Sequence, residues 1–270
     1  MSVLTSEEDG RIYDLRFDFP SLTIITGMSG VGKSSLAIKL IKNKDILIKN
    51  GDKINNIVVF YNAYQPLYDE LLSKFPSVKL INRPPTNEEF IEMTGPYADT
   101  GGSIVLIDDW MNHITEDFSE IATVSSRHNN CFTIMLFQAI FPPSKYARVI
   151  SLNARYYHIF PDPRNVQSLS TLARQMLGSN VDFVVEAYKK VTAQPYKFFT
   201  IDFSQQTPQI LRFRSNVLME GGPMRSYVPN EFYMKPTGEK KKKRKTISGQ
   251  RWGASGGRKF RQFLEYKKKK

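Results

Sequence analysis

One cysteine, Cys131, occurs in 270 residues. This excludes an internal disulfide. Cys131 opens the apolar run CFTIMLF, so it reads as a buried structural thiol rather than a nucleophile. Three scattered histidines, His113, His128 and His158, provide no recognisable metal-ligand spacing. Long apolar runs are also missing: LTIIT, NIVVFY and SIVLIDD are strand-sized, far short of the ~18 residues of a membrane span. The opening stretch MSVLTSEEDGRIYD is acidic and lacks the basic-then-apolar order of a secretory signal. These scarcities lead to the expectation of an intracellular protein without membrane contact.

Charge of one sign is scarce in a different way. The formal net charge is +12, but residues 235–270 hold fifteen Lys and Arg against two acids. Residues 1–234 therefore carry 23 basic and 24 acidic groups. The body is neutral and the C-terminal segment carries the charge. With few apolar groups, 235–270 is expected to be disordered when free.

What is present alternates strand with helix. SLTIIT (21–26), NIVVFY (56–61), VKLI (78–81), SIVLIDD (103–109), CFTIMLFQ (131–138) and RYYHIF (155–160) read as strands, several of them apolar on both faces. Helices are expected over 33–42, from Pro66 through LYDELLSKF, after Thr86 with its capping-box Glu89, over about 115–127, and over 163–177 and 181–191. YKFFTIDF and QILRFRS suggest a hairpin, and 216–234 reads as irregular. The pattern predicts an α/β fold with a mostly parallel central sheet flanked by helices. Its expected divisions are an acidic lead (1–20), one domain (21–216), a linker (217–234) and the basic tail (235–270).

The stretch GMSGVGKSS, residues 27–35, joins the first of these strands to the first helix. Gly27, Met28, Ser29, Gly30, Val31, Gly32, Lys33 and Ser34 match G-x-x-x-x-G-K-[ST], and Ser35 follows. Glycines allow successive N–H groups to point inward, and the helix N-terminus adds positive potential, so the loop suits a β-phosphate. Lys33 is placed to bridge β- and γ-phosphates, and the Ser34 hydroxyl to ligate Mg²⁺ in an ATP complex. SIVLIDD ends in two carboxylates: Asp108 suits the Mg²⁺ and Asp109 a general base, unless the pair only caps a helix. Gln138 ends the next apolar strand and suits a γ-phosphate sensor. Arg127 precedes that strand at a helix C-terminus. There it either reaches another subunit's nucleotide or complements the helix dipole, with Arg148 and Arg155 as rivals for the first role.

TGMSGVGKSS, IVLIDDW and SRHNNCFTIMLFQ, in this order, resemble the FtsK–HerA superfamily of P-loop ATPases, particularly the compact viral DNA-packaging ATPases of poxviruses, virophages and Polinton-like elements. The resemblance covers roughly residues 22–160. It implies a RecA-like sheet in the additional-strand order, a homo-oligomeric ring, and ATP-driven translocation of double-stranded DNA into a preformed capsid. By position it makes Asp109 the catalytic acid, Gln138 the sensor and Arg127 the preferred trans finger. The superfamily commonly has Glu where this chain has Asp109. It also implies a capsid or portal protein as partner and a location in the virion, the host nucleus or a virus factory. The basic segment, with KKKKRK at 240–245 and Trp252, Phe260 and Phe263 interleaved, suits DNA-backbone contact, nuclear import, or plain solubility. A nucleotide or small-molecule kinase, with Arg164 and Arg174 as phosphate clamps, and a nonhydrolysing DNA- or capsid-binding scaffold are the rival classes.

Overall fold

Apolar strands separated by glycine turns and amphipathic helices need both faces of a sheet covered, and the chain achieves this with one large sheet. The computed structural model describes residues 5–8, 11–177, 181–229 and 262–266. Its strands are β1 (Thr5–Glu8), β2 (Arg11–Asp14), β3 (Ser21–Thr26), β4 (Asn56–Tyr61), β5 (Lys79–Ile81), β6 (Ser103–Asp108), β7 (Cys131–Phe137), β8 (Ala154–Ile159), β9 (Phe199–Asp202), β10 (Phe213–Ser215), β11 (Met224–Tyr227) and β12 (Gln262–Tyr266). β1 and β2 form a separate antiparallel hairpin. The others follow the order β12-β11-β10-β9-β8-β3-β7-β6-β4-β5. β5 through β8 in that order run parallel, and β9 to β12 extend the sheet antiparallel from β8.

The position of β7 matters most. It lies between β3, which leads into the glycine loop, and β6, which ends in Asp108. This is the additional-strand order, and it brings the C-terminal ends of β3, β7 and β6 side by side.

Alternation along the central strands divides the core in two. Ile24, Val58, Val105, Ile107 and Met135 face one layer with Phe90, Phe118 and Leu169. Ile25, Ile57, Val59, Ile104, Leu106, Ile134 and Leu136 face the other with Leu36, Leu40 and Ile41 of the helix Lys33–Lys42. Such strands are apolar on both faces because helices cover both faces. Cys131 is fully buried in this core, and burial pushes its thiol up to about 12, so it is inert as the sequence suggested.

The helix expected after Thr86 is present as Asn87–Thr94, with the Thr86 side chain accepting from the Glu89 N–H. The helix expected over about 115–127 runs without a break over 116–128, and its one irregularity is the π-helical turn Ile121–Ser125 between Glu116–Glu120 and Ser126–His128. β1, β2 and β11 are not anticipated by the sequence pattern, and β12 corrects the expectation of disorder throughout 235–270, because Met224–Tyr227 offers it an antiparallel partner. Leu15 and Phe17, in the acidic lead, are buried against the second core layer. The basic segment lies outside the described residues except for β12, which pairs with β11. Among the described residues no helix is long and apolar enough to cross a membrane.

Where the sheet turns antiparallel, it buries charge. Arg214 Nη2 donates to Asp202 Oδ2 at 2.5 Å and Nη1 to the Leu15 carbonyl at 3.1 Å. His158 stands on the adjacent strand, sharing a hydrogen bond with Thr200 at 2.9 Å, and its Nε2 has no partner among the described residues. Burial, with Arg214 nearby, lowers its pKa to about 3. The unfolded chain therefore takes up a proton near pH 6.5 that the folded chain refuses, so stability present above pH 6.5 is lost as pH falls. Between pH 6.5 and 5 this loss is about 2 kcal/mol. His158→Phe, which keeps a ring between Phe17 and Phe198, is expected to flatten the decline of Tm over that window. Parallel Tm–pH curves for the two proteins would contradict the assignment.

Candidate functional site

Backbone geometry creates the loop. Gly27 follows β3 at φ 150, and a β-carbon there would lie 2.7 Å from Phe160 Cβ, so only glycine allows the approach. Gly32, at φ 105, is the left-handed N-cap of the helix Lys33–Lys42 and has no side-chain cap. The first N–H groups of that helix therefore face the loop without a side-chain acceptor. Val31 packs against the second core layer. Ser29, Gly30, Gly32, Lys33, Ser34 and Ser35 border a cavity of about 730 Å³.

Lys33 curls back into the loop, its ammonium donating to the carbonyls of Gly27 and Met28 at 2.8 Å each. Burial lowers its pKa, and the charges of Asp109, Asp108 and Asp162 oppose that shift. An anion in the cavity would compete with those two carbonyls for the ammonium.

β6 delivers the two carboxylates to different surroundings. Asp108 is 3% exposed and accepts from the Tyr68 hydroxyl at 2.7 Å and from Gln65 Nε2 at 3.3 Å. Burial raises its pKa, against the Tyr68 and Ser34 hydrogen bonds and Lys33. Gln65 Nε2 also lies 3.2 Å from Ser34 Oγ, so one amide bridges the hydroxyl and the carboxylate. Asp109 is exposed and left-handed at φ 62, a conformation that Asp tolerates better than most residues. Gln138 Nε2 donates to Asp109 Oδ1 at 3.2 Å, and Asn62 Nδ2 donates to the Asp109 carbonyl at 3.1 Å. Lys33, Ser34, Asp108, Asp109 and Gln138 thus meet at one cavity.

Arg127 is not brought to this cavity. It is exposed and borders a cleft with Pro20, Ser21 and Arg155 at the opposite end of β3. Six residues of strand place it about 20 Å from its own glycine loop. Arg155 is paired with Asp18 at 3.1 Å, and Arg148 lies exposed on the helix Ala147–Asn153.

The sequence reading missed Gln65 and Tyr68. Neither belongs to a recognisable motif: they reach Asp108 because β4, which leads into their segment, pairs directly with β6. The only advance signal was the aromatic richness of YNAYQPLY, which marks no particular chemistry.

The strand order and glycine loop define a P-loop protein of the RecA-like, additional-strand class. No family model matches the chain, and no curated protein does. Among solved structures it is similar to the genome packaging NTPase B204 from Sulfolobus turreted icosahedral virus 2, at 17% identity over 69% of this chain and 93% of that one, with a TM-score of 0.48. It is similar to the cytoplasmic domain of the type VII secretion ATPase EccC from Thermomonospora curvata at 14% identity, over 76% of this chain and 27% of that one, TM-score 0.45. The cytoplasmic domain of EssC shares 16% identity over 62% of this chain and 38% of its own, TM-score 0.41. At these low identities the class rests on the chain's own topology and loop.

Proposed function

We propose that the chain is a Mg²⁺-dependent ATPase that moves double-stranded DNA as a homo-oligomeric ring and packages a viral genome into a preformed capsid. The observation that carries the reading is the meeting of Lys33, Ser34, Asp108, Asp109 and Gln138 at one cavity. The donor set fits magnesium nucleotide: a hydroxyl and a buried carboxylate are already joined through the Gln65 amide, beside a lysine held on loop carbonyls. Ser34 and Asp108 would hold Mg²⁺, which when bound neutralises charge on the phosphate oxygens. Lys33 exchanges its two carbonyls for β- and γ-phosphate oxygens. Asp109 accepts the proton of the attacking water, and Gln138, already bonded to Asp109, orients that water.

Arg127 lies at the opposite end of β3, remote from its own site, and in this reading it serves a neighbouring subunit. The step from ATPase to packaging motor rests on the order of the three motifs and on the basic C-terminal segment. Capsid or portal protein is the expected further partner. Steady-state ATP hydrolysis by the full chain, titrated with double-stranded DNA at two salt concentrations, tests the reading with Asp109→Asn as blank. DNA stimulation absent from the blank supports the motor. Turnover indifferent to DNA, or phosphate transfer to an acceptor other than water, removes it.

The basic segment adds an independent prediction. Replacing Lys240, Lys241, Lys242, Lys243, Arg244 and Lys245 by glutamine is expected to weaken DNA binding and make the slope of log affinity against log salt shallower by several units. An unchanged slope would assign the cluster to import or solubility.

A further inference from the structure

The cavity at the glycine loop has two chemically different ends. Asp109 and Gln138 occupy the hydrolytic end. Across the first turn of the helix Lys33–Lys42 the lining becomes aromatic and aliphatic, with Tyr196, Phe198 and Leu218, and the Lys39–Glu220 ion pair (2.9 Å) at the rim. Tyr196 is the unusual member. Its side chain belongs to a residue 73% exposed, and its backbone is left-handed at φ 59. Its Cδ1 lies 3.5 Å from the point where a β-carbon on Gly32 would stand, so the ring lies beside the N-terminus of the helix.

An aromatic ring that exposed contributes little to the core of its own chain, and a non-glycine residue in the left-handed region carries a backbone cost. Phe198, two residues on, is nearly buried and forms the floor beside it. The remaining need of a triphosphate seated on Gly27 to Ser35 is a surface for its base on the side away from Asp109. The cavity volume, about 730 Å³, lies in the range of small-molecule sites.

We infer that Tyr196 is the stacking platform for the nucleobase of ATP, with Leu218 and Phe198 closing the slot. This assignment rests on the phosphate-loop reading and extends it to the base. Stacking of a base on an aromatic side chain is strong enough to be read in equilibrium binding.

The test compares ATP with inorganic tripolyphosphate, which has the phosphates but no base, by calorimetric titration of the full chain with Mg²⁺. Tyr196→Ala is expected to weaken ATP about tenfold and to change tripolyphosphate affinity less than twofold, while Tyr196→Phe retains ATP affinity. Unchanged ATP affinity in Tyr196→Ala overturns the platform, and so does an equal loss for both ligands, which would mean a damaged loop. Wild-type protein that binds neither ligand overturns the phosphate-loop reading and the platform with it. Wild-type protein that binds both equally well overturns the platform alone.

Discussion

Asp109→Asn is expected to lower ATP turnover by about 100- to 10,000-fold while leaving nucleotide affinity within about threefold of wild type. The substitution isolates the chemistry because so little else changes. Asparagine is isosteric and shares the tolerance of aspartate for φ 62, so the turn after β6 is unstrained. Its amide oxygen can still accept from Gln138 Nε2 as Asp109 Oδ1 does. Asp108, the carboxylate proposed for Mg²⁺, keeps its Tyr68 and Gln65 partners. What disappears is the basic oxygen. One of the three carboxylates whose charge supports the Lys33 ammonium goes too, so its pKa moves further down, the direction burial already drives it. Asp109→Glu adds one methylene, reproduces the acid common in the resembled superfamily, and is expected to retain measurable turnover where Asn does not. Phosphate release and binding of a fluorescent ATP analogue, measured on the same preparations, separate the two effects. Full turnover in Asp109→Asn would move the base elsewhere and favour transfer to an acceptor or a purely structural acid pair.

The parts of this site that could be read from residues alone are those whose signal is local. GMSGVGKSS carries its own geometry, because glycine spacing, lysine and serine are meaningful only between a strand and a helix, and SLTIIT and LAIKLIKN supply both. The same holds for SIVLIDD and CFTIMLFQ, where an apolar run long enough to be buried ends abruptly in polar groups. Gln65 and Tyr68 were invisible because their role depends on which strand lies beside β6, a nonlocal fact. β11 and the N-terminal hairpin were missed for a related reason. Short strands of mixed polarity, such as Met224–Tyr227 and Arg11–Asp14, form where a partner is available, and neither alternates strongly enough to announce itself. The π-helical turn Ile121–Ser125 interrupts a sequence whose apolar positions still suit an ordinary helix. Tyr196, in a turn between a helix and β9, has no sequence mark beyond being aromatic. Its place beside Gly32 comes from the packing of β9 on β8 and of β8 on β3.

Arg127→Ala is expected to reduce turnover by about 1,000-fold or more, the range of a transition-state arginine, without altering ATP affinity in the same proportion. Its location argues against a direct role in its own site, since the length of β3 separates it from its own loop, and in the proposed ring it acts in trans. Mixing experiments make that claim sharp. A Lys33→Ala subunit has lost the ammonium that now contacts the Gly27 and Met28 carbonyls, but keeps Arg127 at the opposite end of β3. An Arg127→Ala subunit keeps Lys33, Ser34, Asp108, Asp109 and Gln138 intact. Neither variant is expected to show more than residual turnover alone. When the two are mixed and allowed to exchange, each interface that places a Lys33→Ala subunit's arginine against an Arg127→Ala subunit's nucleotide is complete. Turnover should therefore rise from the baseline of both parents and peak near equal proportions. A cis role predicts no recovery at any ratio, because every subunit would carry one fatal defect in its own site. Repeating the titration with Arg155→Ala in place of Arg127→Ala assigns the finger. Arg155 already has Asp18 as a partner at 3.1 Å, so its loss is expected to leave most turnover in place even without mixing.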